Sequence, residues 1–167
     1  EGRAVLPTPV LGVVGLIDDA RAVVGRAFRA SGDVVVMLGE AREELGGSEY
    51  LKVIHGVIRG VPPALDLDRE AALQRALVEG AAVGIIRSAH DCSEGGFAVT
   101  LAECCMGTGM GVDVDIPAVV GATPAFGDIA TLFGESASRV VVSVAAVRES
   151  ELLALAARER VPARRIG

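Results

Sequence analysis

The chain of 167 residues has no tryptophan, one tyrosine, one lysine, two histidines and three cysteines. Aromatic residues make up 3% of it, so a stacking platform for nucleobases has little to be built from. Acidic groups outnumber basic ones by 22 to 16, and the net charge of -6 sets phosphate backbones aside: no nucleic-acid partner is expected. No apolar run reaches the roughly 18–20 residues a membrane-spanning helix needs. The opening Glu1-Gly2-Arg3 has neither the basic nor the apolar region of a signal peptide, and no membrane association is expected. Cys92, Cys104 and Cys105 form an odd set with two members adjacent, which is no disulfide framework and points to a reducing, cytoplasmic setting. With Lys52 the single lysine, a Schiff-base role has one candidate. The HExxH, CxxC and GxxxxGK[ST] patterns are missing, so no metal ligand set and no P-loop is predicted.

What remains is a glycine-rich chain, 51% hydrophobic with 21 glycines, of a length suited to one domain, taken as residues 1–167. Val10–Ile17 (VLGVVGLI) and Val34–Leu38 (VVVML) read as buried strands. Between them Ala22–Ala30 is ambiguous, with Val23, Val24 and Gly25 favouring a strand. Ser48 is placed to cap a short helix through His55. Asp66 or Asp68 can cap a second helix whose inner stripe is Leu73, Ala76, Leu77 and Gly80, with Ala81–Ile86 as a possible extension. Gly96–Met106 reads as a helix stopped by Gly107, with Phe97, Leu101 and Cys104 or Cys105 inward. Met110–Ile116 alternates like a half-exposed strand. Ala125–Phe133 reads as a short helix, Val140–Val147 as a strand, Arg148–Arg160 as a final helix, and Val161–Ile166 as the approach to one more strand. Strands and helices mix without strict alternation, which predicts an α+β class: a layered α/β/α domain with a mixed sheet.

Three segments could carry chemistry. In Ser88-Ala89-His90-Asp91-Cys92-Ser93-Glu94-Gly95-Gly96 a strand end opens through two glycines into a helix, where free N–H groups favour an anion. Asp91 and Ser93 could orient a ligand hydroxyl or a metal-bound water, or cap the helix, which is the commoner duty of those residue types. In Gly134-Glu135-Ser136-Ala137-Ser138-Arg139, Glu135 and Ser136 could meet a substrate amide or ribose; the plainer reading is a turn with Glu135 paired to Arg139. Gly46, Gly47 and Ser48 precede another helix start, as a capped loop or an anion site. His90 and Asp91 are neighbours on a strand and should point to opposite faces, so no ring–carboxylate pair is implied. No residue stands out as a catalytic base.

Taken together and in order, PTPVLGVVGLIDD, GDVVVMLGE, ELGGSEYLKVIHG, PPALDLDREAALQ, SAHDCSEGGFAVTLAE and LFGESASRVVVSV resemble the C-terminal domain of the phosphoribosylformylglycinamidine synthase family, in the aminoimidazole ribonucleotide synthetase superfamily. The resemblance covers essentially the whole chain. It implies an aminoimidazole ribonucleotide synthetase C-terminal-domain-like fold within an ATP-dependent ligase of purine biosynthesis. That enzyme converts formylglycinamide ribonucleotide, with glutamine-derived ammonia, into the amidine through an iminophosphate. It further implies ATP and Mg held mainly by N-terminal domains outside this sequence, which reads as a fragment inactive alone. The implied partners are the upstream domains of the same subunit, a glutaminase subunit and a small bridging subunit.

Residue by residue, Asp91, Ser93, Gly95 and Gly96 match the family's D-x-S-x-G-G loop for phosphate or substrate, with Glu94 where Asp is frequent. Glu135 and Ser136 match its G-E-S motif, and Gly46, Gly47 and Ser48 a second glycine loop. Ala137 stands where the duplicated half often has glutamine, which favours an auxiliary half-site. The rival readings are a non-catalytic scaffold half binding a structural nucleotide, and another superfamily member such as selenophosphate synthetase or a thiamine-phosphate kinase.

Overall fold

A computed structural model describes residues 10–116, 119, 123 and 126–167. Its centre is a four-stranded sheet of β1 (Val34–Leu38), β2 (Ile86–Asp91), β3 (Val140–Val144) and β4 (Ala163–Arg165), in the order β2-β3-β1-β4. Val36 of β1 lies opposite Val142 on one side and Arg165 on the other, while Ala89 of β2 faces Val142. All three pairings are antiparallel, so within the predicted α+β class the sheet is antiparallel and not mixed. The mixing of strands and helices along the chain leaves strand direction open, and so does the burial of β1 and β3 on both faces.

Helices supply the two outer layers. Val34, Val36 and Leu38 with Val140, Val142 and Val144 face α2 (Leu67–Ala82) and α5 (Glu149–Arg158), which turn Leu73, Ala76, Leu152 and Leu155 inward. The opposite face, Val35, Met37 and Val141, packs on Phe97, Leu101 and Cys104 of α3 (Gly96–Cys105). Each such side chain taken fully out of water contributes roughly 1.5–3 kcal/mol, so these two cores carry most of the fold. Asp66 starts α2 by accepting the Asp68 and Arg69 N–H groups, each at 3.1 Å. The helix continues through Ala81 and Ala82, then Gly84 makes the turn, so only the first two residues of Ala81–Ile86 extend it; Ile86 already belongs to β2. Two shorter helices, α1 (Glu49–His55) and α4 (Gly127–Phe133), lie beside the loops treated below.

Three expected strands are missing. Val10–Ile17 enters no sheet, and its large apolar side chains are 65–96% exposed. Ala22–Ala30 is irregular, although Phe28 is buried and bonds through its N–H to the Cys104 carbonyl. Met110–Ile116 keeps the alternation read from the sequence, with Met110, Val112, Val114 and Ile116 against the α3-side core. Among the described residues it is tied to the sheet region by one bond, from the Asp115 N–H to the Ile166 carbonyl at 2.6 Å, which does not make a ladder. Pro117 and Ala125, the expected limits of two elements, lie outside the described residues.

Candidate functional site

The three loops singled out in the sequence meet at one carboxylate. Oε1 of Glu135 accepts the N–H of Gly95 at 2.9 Å and the N–H of Glu49 at 2.9 Å. Gly95 precedes α3 and Glu49 opens α1, so a single oxygen takes backbone donors from two helix starts. A carboxylate placed there is favoured by charge as well as by the hydrogen bonds. The N–H of Glu135 in turn donates to the Glu44 carbonyl at 3.3 Å. Beside it Ser136, buried, accepts the Arg42 N–H at 3.0 Å and returns its own hydroxyl hydrogen to the Arg42 carbonyl at 3.3 Å.

The glycines serve this meeting of loops. Gly95 and Gly96 have φ of +81° and +69°, values that L side chains seldom adopt. A methyl group on Gly96 would sit 2.7 Å from the Phe133 carbonyl carbon and the Gly134 carbonyl oxygen. The close approach that glycine permits there is therefore to the end of α4. Gly46 does the same against the Val61 backbone, while Gly47 (φ +75°) donates its N–H to the Arg59 carbonyl at 2.7 Å. Ser48 caps α1 as expected, accepting the Leu51 N–H at 3.4 Å and donating to the Leu45 carbonyl at 2.7 Å.

Two plain readings need correction. Neither Asp91 nor Ser93 caps α3, because Gly95 is the cap residue and its N–H goes to Glu135. Nor does Glu135 pair with Arg139. The Arg139 guanidinium, 2% exposed, donates instead to the Gly134 and Ser136 carbonyls on either side of Glu135. Asp91 and Ser93 are exposed at the mouth of the junction. Partial burial would raise the Asp91 carboxyl, but the Ser93 hydroxyl, its own backbone N–H and His90 outweigh that and hold it below its ordinary value. His90 also departs from expectation, since its Nδ1 lies 3.3 Å from Asp91 Oδ1 while Nε2 meets Glu103 of α3. At the last residue of a strand, side-chain directions are no longer bound to strict alternation.

Residues 30–167 match the family model described as AIR synthase related protein, C-terminal domain. The chain belongs to that family. Among curated relatives, this family domain is 51% identical over 98% of its length to phosphoribosylformylglycinamidine synthase subunit PurL of Thermobifida fusca, covering 20% of that protein. It is 46% identical over its whole length to the subunit of the same name from Thermomicrobium roseum, covering 22% of it. The chain thus spans about a fifth of the length of these relatives. Thermotoga maritima PurL complexed with FGAR superposes on 88% of the chain with a TM-score of 0.72 at 19% identity, covering 25% of that structure. The Escherichia coli hydrogenase maturation protein HypE superposes on 86% with a TM-score of 0.61 at 16% identity, covering 45% of that structure. At such identities the two structures establish the fold alone.

Two residues of this family domain have roles that the sequence reading does not give. Arg139 is pulled below its ordinary value by burial, with Cys92 and Glu44 acting against that, and its Nη1 has no hydrogen-bond partner. Parity was the available signal, since residue 139 shares a face with Val141, which is in the core. Glu44 contributes its carbonyl to Glu135 and one carboxylate oxygen to the Ala64 N–H at 3.0 Å, with no pattern in the sequence to mark it. The cysteines are all free, and Cys104 is buried in the α3-side core, where burial pushes its thiol up to about 12. Among the described residues no three His, Cys, Asp or Glu side chains are grouped to hold a metal ion. No described helix is long and apolar enough to cross a membrane.

Proposed function

We propose that this chain is the C-terminal-type domain of the synthetase subunit of a phosphoribosylformylglycinamidine synthase, a cytoplasmic ATP-dependent ligase of purine biosynthesis. The observation that carries the reading is the identity of 51% over 98% of the chain with a subunit of that name. In this reading ATP makes the amide oxygen of formylglycinamide ribonucleotide a leaving group and ammonia displaces it. Nucleotide and magnesium are bound by domains preceding this one in a chain about five times as long. A glutaminase subunit and a small bridging subunit complete the assembly.

The domain's own contribution is a preorganised wall. Glu135 ties the starts of α1 and α3 together, and the tie presents Asp91 and Ser93 to solvent as a fixed carboxylate and hydroxyl. Such groups hold and orient a substrate hydroxyl or amide at low cost, because they are positioned before binding. The Gly95 amide is engaged by Glu135, so a phosphate seated on it would have to displace a carboxylate or lie beside one. That favours substrate contact through Asp91 and Ser93 over phosphate binding by Gly95 and Gly96. It equally gives weight to a second reading, a scaffold half whose anion seat is filled from within.

Ser93→Ala in the full-length subunit separates the two, since the Ser93 side chain takes no part in the tie. With ammonia as nitrogen donor, substrate contact predicts a several-fold higher KM for formylglycinamide ribonucleotide and unchanged stability. An unchanged KM would leave the scaffold reading. A wild-type subunit that makes no amidine from that substrate, ATP and ammonia would end the ligase reading altogether.

A further inference from the structure

A cleft of about 200 Å³ opens where the end of β1, the start of α2 and the end of α5 come together, lined in part by Arg42, Asp66, Arg69, Ser138 and Arg160. Three carboxylates (Glu40, Glu44 and Asp66) and three arginines (Arg42, Arg69 and Arg160) line it, and they are unevenly paired. Arg69 lies 3.4 Å from Glu40 and 3.5 Å from Asp66, and Asp66 also caps α2. Glu44 holds the Ala64 N–H and acts on the buried Arg139. Arg42 and Arg160, which also line the cleft, pair with no carboxylate among the described residues.

The backbone singles out the same place. Among the described residues Ser138 (φ +58°) and Arg160 (φ +60°) are the non-glycine residues with positive φ, and both line this cleft. Ser138 has a local return, since its hydroxyl donates to Glu70 at 2.6 Å. Arg160 follows the end of α5, where the Arg160 N–H bonds to the Ala157 carbonyl at 3.1 Å and the Val161 N–H to the Ala156 carbonyl at 2.8 Å. That closing pattern puts its first residue beyond the helix in the left-handed region, where glycine is the usual occupant. The Arg160 side chain makes no hydrogen bond among the described residues to offset the strain.

We propose that this cleft binds a small phosphate monoester, with the guanidinium groups of Arg160 and Arg42 on the phosphate. Two arginines offer forked donors to a dianion, the geometry in which Arg binds phosphate well. The volume admits a phosphate with a short appended group and is below the roughly 300–1,000 Å³ of sites for larger ligands. The assignment goes beyond the ligase reading and stands without it.

Titration calorimetry of the chain with inorganic phosphate, glycerol 3-phosphate and succinate tests it, alongside thermal melts. The wild type should bind glycerol 3-phosphate more tightly than phosphate, and succinate at least tenfold more weakly. Arg42→Ala and Arg160→Gly should each weaken the monoester about tenfold, while Arg160→Lys retains part of the affinity. Arg160→Gly should at the same time melt about 2–4 °C higher, because glycine relieves the backbone. A gain in melting temperature with unchanged affinity overturns the proposal, as does a wild type that binds neither phosphate probe. Succinate binding as tightly as glycerol 3-phosphate overturns the phosphate assignment.

Discussion

The helices α1 and α3 each begin at or just after a glycine pair, yet their first turns are satisfied from different places. α1 has its own cap, Ser48, three residues before the N–H it accepts, and Glu135 adds one further acceptor at Glu49. α3 has no side-chain cap at all, and the N–H of its cap residue Gly95 depends on Glu135, forty residues away. A helix start with a local cap can form as soon as its own turn closes. One capped from a distance needs the tertiary structure first. The Gly134–Ser136 loop is therefore the point at which the local order of α3 becomes conditional on the sheet, because β3 follows that loop directly. The difference between the two starts lies in where the partner is located in the chain, and each of the variants below removes one side of it.

The largest effect is expected from Gly96→Ala. Its φ is +69°, and the new methyl group would press on the Phe133 and Gly134 backbone, which no side-chain rotation can relieve. Strain and collision together should cost roughly 3 kcal/mol or more in urea unfolding. Gly47→Ala at the other helix start is the matched control: its φ is +75°, but the space around the added methyl is open. It should cost about 1 kcal/mol, the backbone penalty alone. Equal losses at the two sites would mean that the packing of α3 on the end of α4 contributes nothing.

Glu135→Ala comes next. It strands the Gly95 and Glu49 N–H groups together and should cost about 1.5–3 kcal/mol. Glu135→Gln keeps a carbonyl oxygen for both donors and should cost less than half as much. Amide hydrogen exchange reads the asymmetry directly. In Glu135→Ala the first turn of α3 should lose protection more than that of α1, where Ser48 remains. Ser48→Ala should reverse that order at a cost of about 1 kcal/mol. Equal loss of protection at both helix starts in Glu135→Ala would remove the distinction between local and remote capping.

Local signals of this kind are also what the sequence made legible. Ser48 and Asp66 as caps, the stripe of α2 and the run Val34–Leu38 follow from spacing and residue type within a few positions, and the structure has them. Val10–Ile17 is an apolar run like Val34–Leu38, though with two glycines, and has the opposite fate, because such a run becomes a strand only where a neighbour pairs with it and other layers cover it. Neither condition is written in the run. The same limit governed the site. The three loops were recognisable one at a time, and Glu135 was nominated, but its partners lie at positions 49 and 95 and no local pattern links those numbers. The turn pairing of Glu135 with Arg139 was the nearest partner the chain offered, and the buried carbonyls took Arg139 instead.

The smallest expected effect tests whether Asp91, at the mouth of the junction, belongs to the remote support of α3 or stands outside it. Its carboxyl titrates below its ordinary value, although its side chain is 68% exposed. A carboxyl whose folded value lies below its unfolded value of about 3.9 adds stability that is complete above that pH and is lost as pH falls through the folded value. At such exposure solvent screens most of the gain. Asp91→Asn should leave the urea midpoint at neutral pH nearly unchanged and make its decline below about pH 4 slightly shallower. Glu135→Gln should lower the midpoint already at neutral pH, because it weakens the tie to the Gly95 and Glu49 N–H groups itself. If Asp91→Asn instead lowered the neutral midpoint as much as Glu135→Gln, Asp91 would be part of the support for α3, and that helix start would rest on two carboxylates and not on one.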